Sequence, residues 1–168
     1  MPGRAEFLKR NRDSVRAQSF TEWEQLILKD ETGAGIAAAQ RRMWTVEPRG
    51  AYVLVLDDDD QMYDGDVLNI AHKFLEWEEY PPFMVCKVKR MGEDFPLVWN
   101  ARPTMGTITV SNVLVRRDVW MKTRTAFGEH YAGDFDWIDT LFEKYGDAGG
   151  WLAEYIVNID HVGAGVLA

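Results

Sequence analysis

The chain has 168 residues, 46% hydrophobic and 27% charged, which suits one domain spanning 1–168 with a sizeable core and excludes two full enzymatic domains. Nineteen basic against 27 acidic side chains give a net charge of −8, which excludes a general basic surface for nucleic acid but not anion binding through a metal ion. The single Cys86 excludes a disulfide framework and a cysteine-built zinc site, and fits a reducing compartment.

Residues 6–18 read as a helix with Phe7, Leu8 and Val15 on one face. A break at 19–21 precedes 24–29 (EQLILK), read as a short buried strand. Residues 35–44 are alanine-rich and helical, and 47–50 form a turn. The clearest strand is 51–56 (AYVLVL), an unalternating apolar run that suits a central strand covered on both faces. A helix over 65–78 is closed by Pro81-Pro82. Strands follow at 83–90 (FMVCKVKR) and 107–116 (TITVSNVLVR), then a helix at 134–145 and an extended segment at 151–159. Strands alternating with helices predict an α/β layer structure around a mostly parallel sheet, mixed in its second half. The run 51–56 falls far short of the roughly 20 residues a spanning helix needs. The basic segment 1–16 lacks the apolar centre of an export signal. The expectation is a cytoplasmic protein without a membrane span.

Chemistry concentrates at Asp57-Asp58-Asp59-Asp60, directly after AYVLVL. Ligands of open α/β sheets bind at the carboxyl ends of strands. Four adjacent carboxylates repel one another unless a cation is bound. In an extended chain Asp57 and Asp59 would point the same way and offer hard oxygens to Mg²⁺ or Mn²⁺. Asp134 and Asp136, at the start of the last helix, could serve as a general base or simply as a cap. Arg41 and Arg42 could grip a diphosphate with their guanidinium forks, or line a solvated helix face. Gly33-Ala34-Gly35-Ile36-Ala37-Ala38 imitates a dinucleotide fingerprint, but three residues separate it from the strand before it. His72 reads as a surface residue and His130 as a loop residue. His161 gains meaning only if the last strand returns to the aspartates. Trp99 and Trp137 are the tryptophans that could stack on a sugar.

Several segments, in order, resemble family 2 glycosyltransferases. SVRAQSFTEWE (14–24) followed by LILKD (26–30) is similar to that family's SVLAQTF-DWE and the strand after it. RGAYVLVLDDDD (49–60) is similar to its GEYIAFLDxDD segment. The match runs from about residue 5 to 60, with a looser one over VLVRRDVW (113–120) and Gly133-Asp134. The resemblance implies a GT-A fold: a three-layer sandwich in a short form that lacks the family's usual first strand and so leaves a sheet edge for a second copy to cover. It implies a metal-dependent, inverting transfer of a hexose from a UDP- or GDP-sugar to an acceptor hydroxyl, with Mn²⁺ or Mg²⁺ as cofactor. Asp57, Asp58 and Asp59 would bind the metal and donor, with Asp59 the direct metal ligand. Asp30 would contact the nucleobase, Asp134 would be the catalytic base, and His161 would stand at a late metal-binding histidine. The alternative is a non-catalytic member that binds a nucleotide or a partner. A phosphatase-like hydrolase is disfavoured because Gln61 stands where that chemistry wants Thr or Val.

Overall fold

The computed structural model describes residues 4–28 and 35–160. In chain order the elements are α1 (Arg4–Arg16), α2 (Gly35–Met43), β1 (Tyr52–Leu54), β2 (Gln61–Met62), α3 (Val67–Trp77), β3 (Phe83–Arg90), β4 (Glu93–Phe95), β5 (Val113–Arg116), α4 (Arg117–Thr123), α5 (Gly133–Tyr145) and β6 (Gly150–Ile159). The sheet runs β1-β5-β3-β6-β2, with β4 beside β3.

β3 is the spine. Phe83, Met84, Val85, Cys86 and Val88 are fully buried, as an unalternating apolar strand covered on both faces requires. Met84, Cys86 and Val88 face one core, under Val15 of α1 and Val67, Ala71 and Leu75 of α3. Phe83 and Val85 face the other, under Val119 and Trp120 of α4 and Trp137, Ile138 and Leu141 of α5. The result is the expected three-layer sandwich. Each large apolar side chain buried here contributes roughly 1.5–3 kcal/mol over an exposed one. The Cys86 thiol donates to the Asn112 carbonyl at 3.1 Å, and burial drives its pKa up.

The sheet is mixed, but its balance differs from expectation. Only β3 and β6 pair in parallel; β1–β5, β3–β5, β3–β4 and β2–β6 are antiparallel. Of the antiparallel pairs only β3–β4 is a short hairpin; β1–β5 and β2–β6 join strands distant in sequence, so their direction is set by the tertiary path of the chain.

Residues 24–28 form no strand, and Leu26, Ile27 and Leu28 are 49, 38 and 45% exposed. An apolar run becomes a strand only beside a ladder partner, and no described segment pairs with it. For the same reason β1 is shorter than its sequence pattern. It lies at the end of the sheet, bonded to β5 alone among the described strands. The 107–116 strand is real only over Val113–Arg116. Before it, Thr109 donates its N–H and its hydroxyl to the Asn112 side chain at 2.9 and 3.0 Å and coils Val110–Asn112 into a 3₁₀ turn.

Candidate active site

The four aspartates are not extended. The Asp60 N–H donates to the Asp57 carbonyl at 3.1 Å, so 57–60 is a β-turn with Asp58 and Asp59 at its centre. Alternation along a strand therefore does not set where Asp57 and Asp59 point; the turn does. It links β1 to β2 and stands at the carboxyl end of β1, where open sheets take ligands.

Asp58 is ion-paired with Arg4 from the first turn of α1. Asp57 has its pKa raised to about 6, first by desolvation among crowded atoms, then by Asp59, Asp134 and Asp58. Part of the residue is open to solvent, and water there tempers the desolvation. Asp60 is 2% exposed, accepts the Ser111 hydroxyl at 2.8 Å, and is pushed up to about 8 by burial and then by Asp57. Burial leads both shifts, and the neighbouring carboxylates add to them.

Asp134 is the second residue of α5 and does not act as its cap: Ala132 takes that position, with no side-chain cap bond. Its carboxylate lies within the first turn, half-buried, and its pKa is raised by desolvation against the lowering effect of backbone N–H bonds from Phe135 and its own amide. Its negative charge adds to the upward shift of Asp57, so the two acids lie within electrostatic reach of one another. Asp136 is engaged elsewhere, 2.6 Å from His130 Nε2. The Ala132 N–H donates to His130 Nδ1 at 3.3 Å, so the neutral ring carries its proton on Nε2.

This loop is closed by glycines. Gly128 N–H donates to the Gly133 carbonyl at 3.0 Å, and Gly133 N–H to the His130 carbonyl at 3.0 Å. A Cβ on Gly133 would lie 2.0 Å from the Gly128 carbonyl oxygen, and one on Gly128 would lie 2.1 Å from Asp136 Oδ2.

Arg41 meets this loop through Glu129 at 3.3 Å, while Arg42 is half-buried in the last turn of α2. Trp44 Nε1 donates to the Phe127 carbonyl at 3.1 Å, so α2 is anchored on the same loop. Asp30, His161 and the first two residues of the glycine motif lie outside the described residues. The strand expected before that motif is not formed over 24–28, which removes the context a dinucleotide site requires. β6 does return to the aspartates: Asn158 pairs with Gln61, and Asp160 lies 3.2 Å from the Gln61 amide and 3.1 Å from Arg10. Trp137 is no sugar platform, being fully buried and stacked on Phe127 at 4.9 Å. Trp99 packs edge-on against Trp151. His72 is the surface residue expected, beside Glu76 at 3.6 Å.

Among the described residues no three His, Cys, Asp or Glu side chains converge as a metal cage. Mg²⁺ is commonly held by one or two carboxylates plus substrate phosphates, and the hard oxygens of a crowded acidic turn fit that mode.

The fold, compared with solved structures, resembles Staphylococcus aureus TarS. The structure of its residues 1–349 superposes with a TM-score of 0.64 at 14% identity, covering 95% of this chain and 58% of that one. A structure of S. aureus TarS gives a TM-score of 0.62 at 14% identity, covering 94% of this chain and 35% of that one. The fold is GT-A-like. This chain therefore spans between about a third and three-fifths of the structures it resembles. No protein-family model matches the sequence, and no curated protein matches it. No helix among the described residues is long and apolar enough to cross a membrane.

Sequence reasoning missed His130 and its bond to Asp136, Asn11 against the turn, and Ser111 against Asp60. The residue types were visible, but only the tertiary fold says which polar side chains on a helix or loop face inward.

Proposed function

We propose that this chain is a glycosyltransferase that moves a sugar from a nucleoside-diphosphate donor to an acceptor hydroxyl with inversion. The observation that carries the reading is the approach of Asp134 to the acidic turn at the carboxyl end of β1, on a GT-A-like fold. In this reading Asp57 and Asp59 hold a divalent cation and Asp58 lies beside the donor. Bound there, the cation would neutralise the diphosphate as it leaves. Asp134 takes the proton of the acceptor hydroxyl, and its upward-shifted carboxyl is a stronger base than an ordinary aspartate. The attacking oxygen approaches the anomeric carbon opposite the diphosphate, and the half-buried floor around Asp134 limits competing water. Asp136 is not the base, since its carboxylate is committed to His130.

A second reading, a nucleotide- or partner-binding protein without transfer, draws on the exposed Leu26, Ile27 and Leu28 and on the edge of β1 that no described strand covers. In either reading a second copy covering that edge is part of the proposal, and sedimentation equilibrium tests it.

Calorimetric titration of UDP and GDP, each with Mn²⁺ and with excess chelator, decides the matter. Metal-dependent binding of either supports the donor site, and turnover of the matching UDP- or GDP-hexoses then separates transfer from binding alone. Absence of binding by both overturns the donor site.

A further inference from the structure

The face of α1 that meets the acidic turn is polar where a core helix would be apolar. Asn11 is 2% exposed, one turn before the buried Val15. Both hydrogens of its Nδ2 are spent on the turn: one on the Asp57 carbonyl at 2.9 Å, the other on the Asp60 carbonyl at 3.0 Å. Its Oδ1 accepts the Gln25 amide at 2.8 Å, which fixes the orientation of the group. Ser14 and Gln18 continue the stripe at helical spacing. The Ser14 hydroxyl accepts the Met62 N–H at 3.0 Å, and Gln18 Oε1 accepts the Leu68 N–H at 3.1 Å.

We infer that Asn11 is a positioning residue for the acidic turn, acting through the backbone carbonyls of Asp57 and Asp60. This rests on the reading of that turn as the cation and diphosphate site. A single β-turn hydrogen bond is a weak restraint where neighbouring carboxylates repel one another. Asn11 adds two bonds that pin the first and last residues of the turn together, so Asp58 and Asp59 project from a fixed base. The amide is neutral, so it restrains the backbone without competing for the cation or the carboxylates. A buried amide is costly unless its hydrogens are bonded, and an apolar side chain would fill the position at less cost. The geometry is therefore explained by what it holds.

The test is Mn²⁺ titration of the full chain with UDP and with GDP, following free Mn²⁺ by electron paramagnetic resonance, for wild type, Asn11→Ala, Asn11→Asp and Val15→Ala. Val15→Ala is the stability control, because it removes buried surface from the same helix without touching the turn. Expected is a tenfold or greater rise in the apparent Kd for Mn²⁺ in Asn11→Ala. Asn11→Asp, which keeps the shape but loses both donated bonds, gives at least the same loss. Val15→Ala melts earlier but binds within twofold of wild type. If Asn11→Ala does not fold, Asn11→Asp carries the test. Wild-type affinity in either Asn11 variant, or an equal loss in Val15→Ala, overturns the inference while leaving the site reading intact. Failure of the wild type itself to bind Mn²⁺ overturns the site reading and this inference with it.

Discussion

His130 holds the Asp136 carboxylate at 2.6 Å through Nε2, two residues beyond Asp134, whose carboxylate is met by backbone N–H groups of its own helix turn. The pair divides two neighbouring aspartates into a committed one and an available one. Asp134→Asn is expected to lower transfer by roughly 10²-fold or more, the usual size of a lost general base, with donor affinity within twofold. Asp136→Asn keeps a hydrogen-bonding side chain beside His130 and is expected to cost less than tenfold. Steady-state turnover alongside calorimetry checks both, and full activity in Asp134→Asn would remove it as the base.

Asp59→Ala is expected to abolish metal-dependent nucleotide binding while the far-ultraviolet circular dichroism and the cooperative melt are kept. The side chain sits half-buried at the centre of the turn and belongs to neither apolar core, so its loss removes no core contact. Calorimetry with and without chelator reads the outcome, and unchanged metal-dependent binding would sink the assignment of this residue.

Asp60 gives the chain a pH signature. Its folded pKa is about 8, against an unfolded value near 3.8. Between those values the unfolded chain has released a proton that the folded chain retains, so this group's contribution to stability falls as pH rises across that window. Below it both states are protonated and the contribution levels off. Asp60→Asn keeps an acceptor for Ser111 and removes the titration. In chelator it is expected to match wild type near pH 4 and to be more stable by about 2 kcal/mol at pH 8. Urea titrations at the two pH values measure this, and an equal difference at both would refute it.

The glycines of the Asp134 loop predict an asymmetry. A methyl group on Gly133 meets backbone, the Gly128 carbonyl oxygen at 2.0 Å, whereas one on Gly128 meets the movable ends of Asp136 and His130. Gly133→Ala is expected to cost roughly 2–4 kcal/mol of stability, the range of a backbone clash. Gly128→Ala is expected to cost less and instead displace the His130–Asp136 pair, visible as moved imidazole ring resonances by NMR. Equal stability losses with an unmoved histidine would contradict this.

The sequence carried the layers well. β3, β6, α3 and α5 are long, and their apolar period or continuity is set by burial on the sheet, so local pattern and final structure agree. β2, β4 and α4 were missed because two to seven residues carry too little periodicity to stand out. The 24–28 segment had the right composition for a strand but no partner among the described residues, and pairing is a property of two segments. The parallel bias failed because β1 and β2 pair antiparallel with the distant β5 and β6, a direction no single strand encodes. In the candidate site, Asp57 and Asp59 stand out in sequence because four adjacent acids follow a buried strand, while Asp134 stands out only through the family resemblance. Their mutual approach does not, and neither does the inward turn of Asn11, which in sequence looks like any polar residue on an outer helix.

The thiol of Cys86 sits at the middle of β3, sealed from both faces, and it is the chain's sole cysteine. It is a built-in clock for opening of the sheet. An alkylating reagent reaches it only when the central strand is exposed, so the rate of modification reports the rarest and largest fluctuations and is blind to motion confined to the acidic turn. A ligand that closes over the acidic turn without stabilising the whole sheet would leave that clock running at the same rate. One that locks the layers together would slow it.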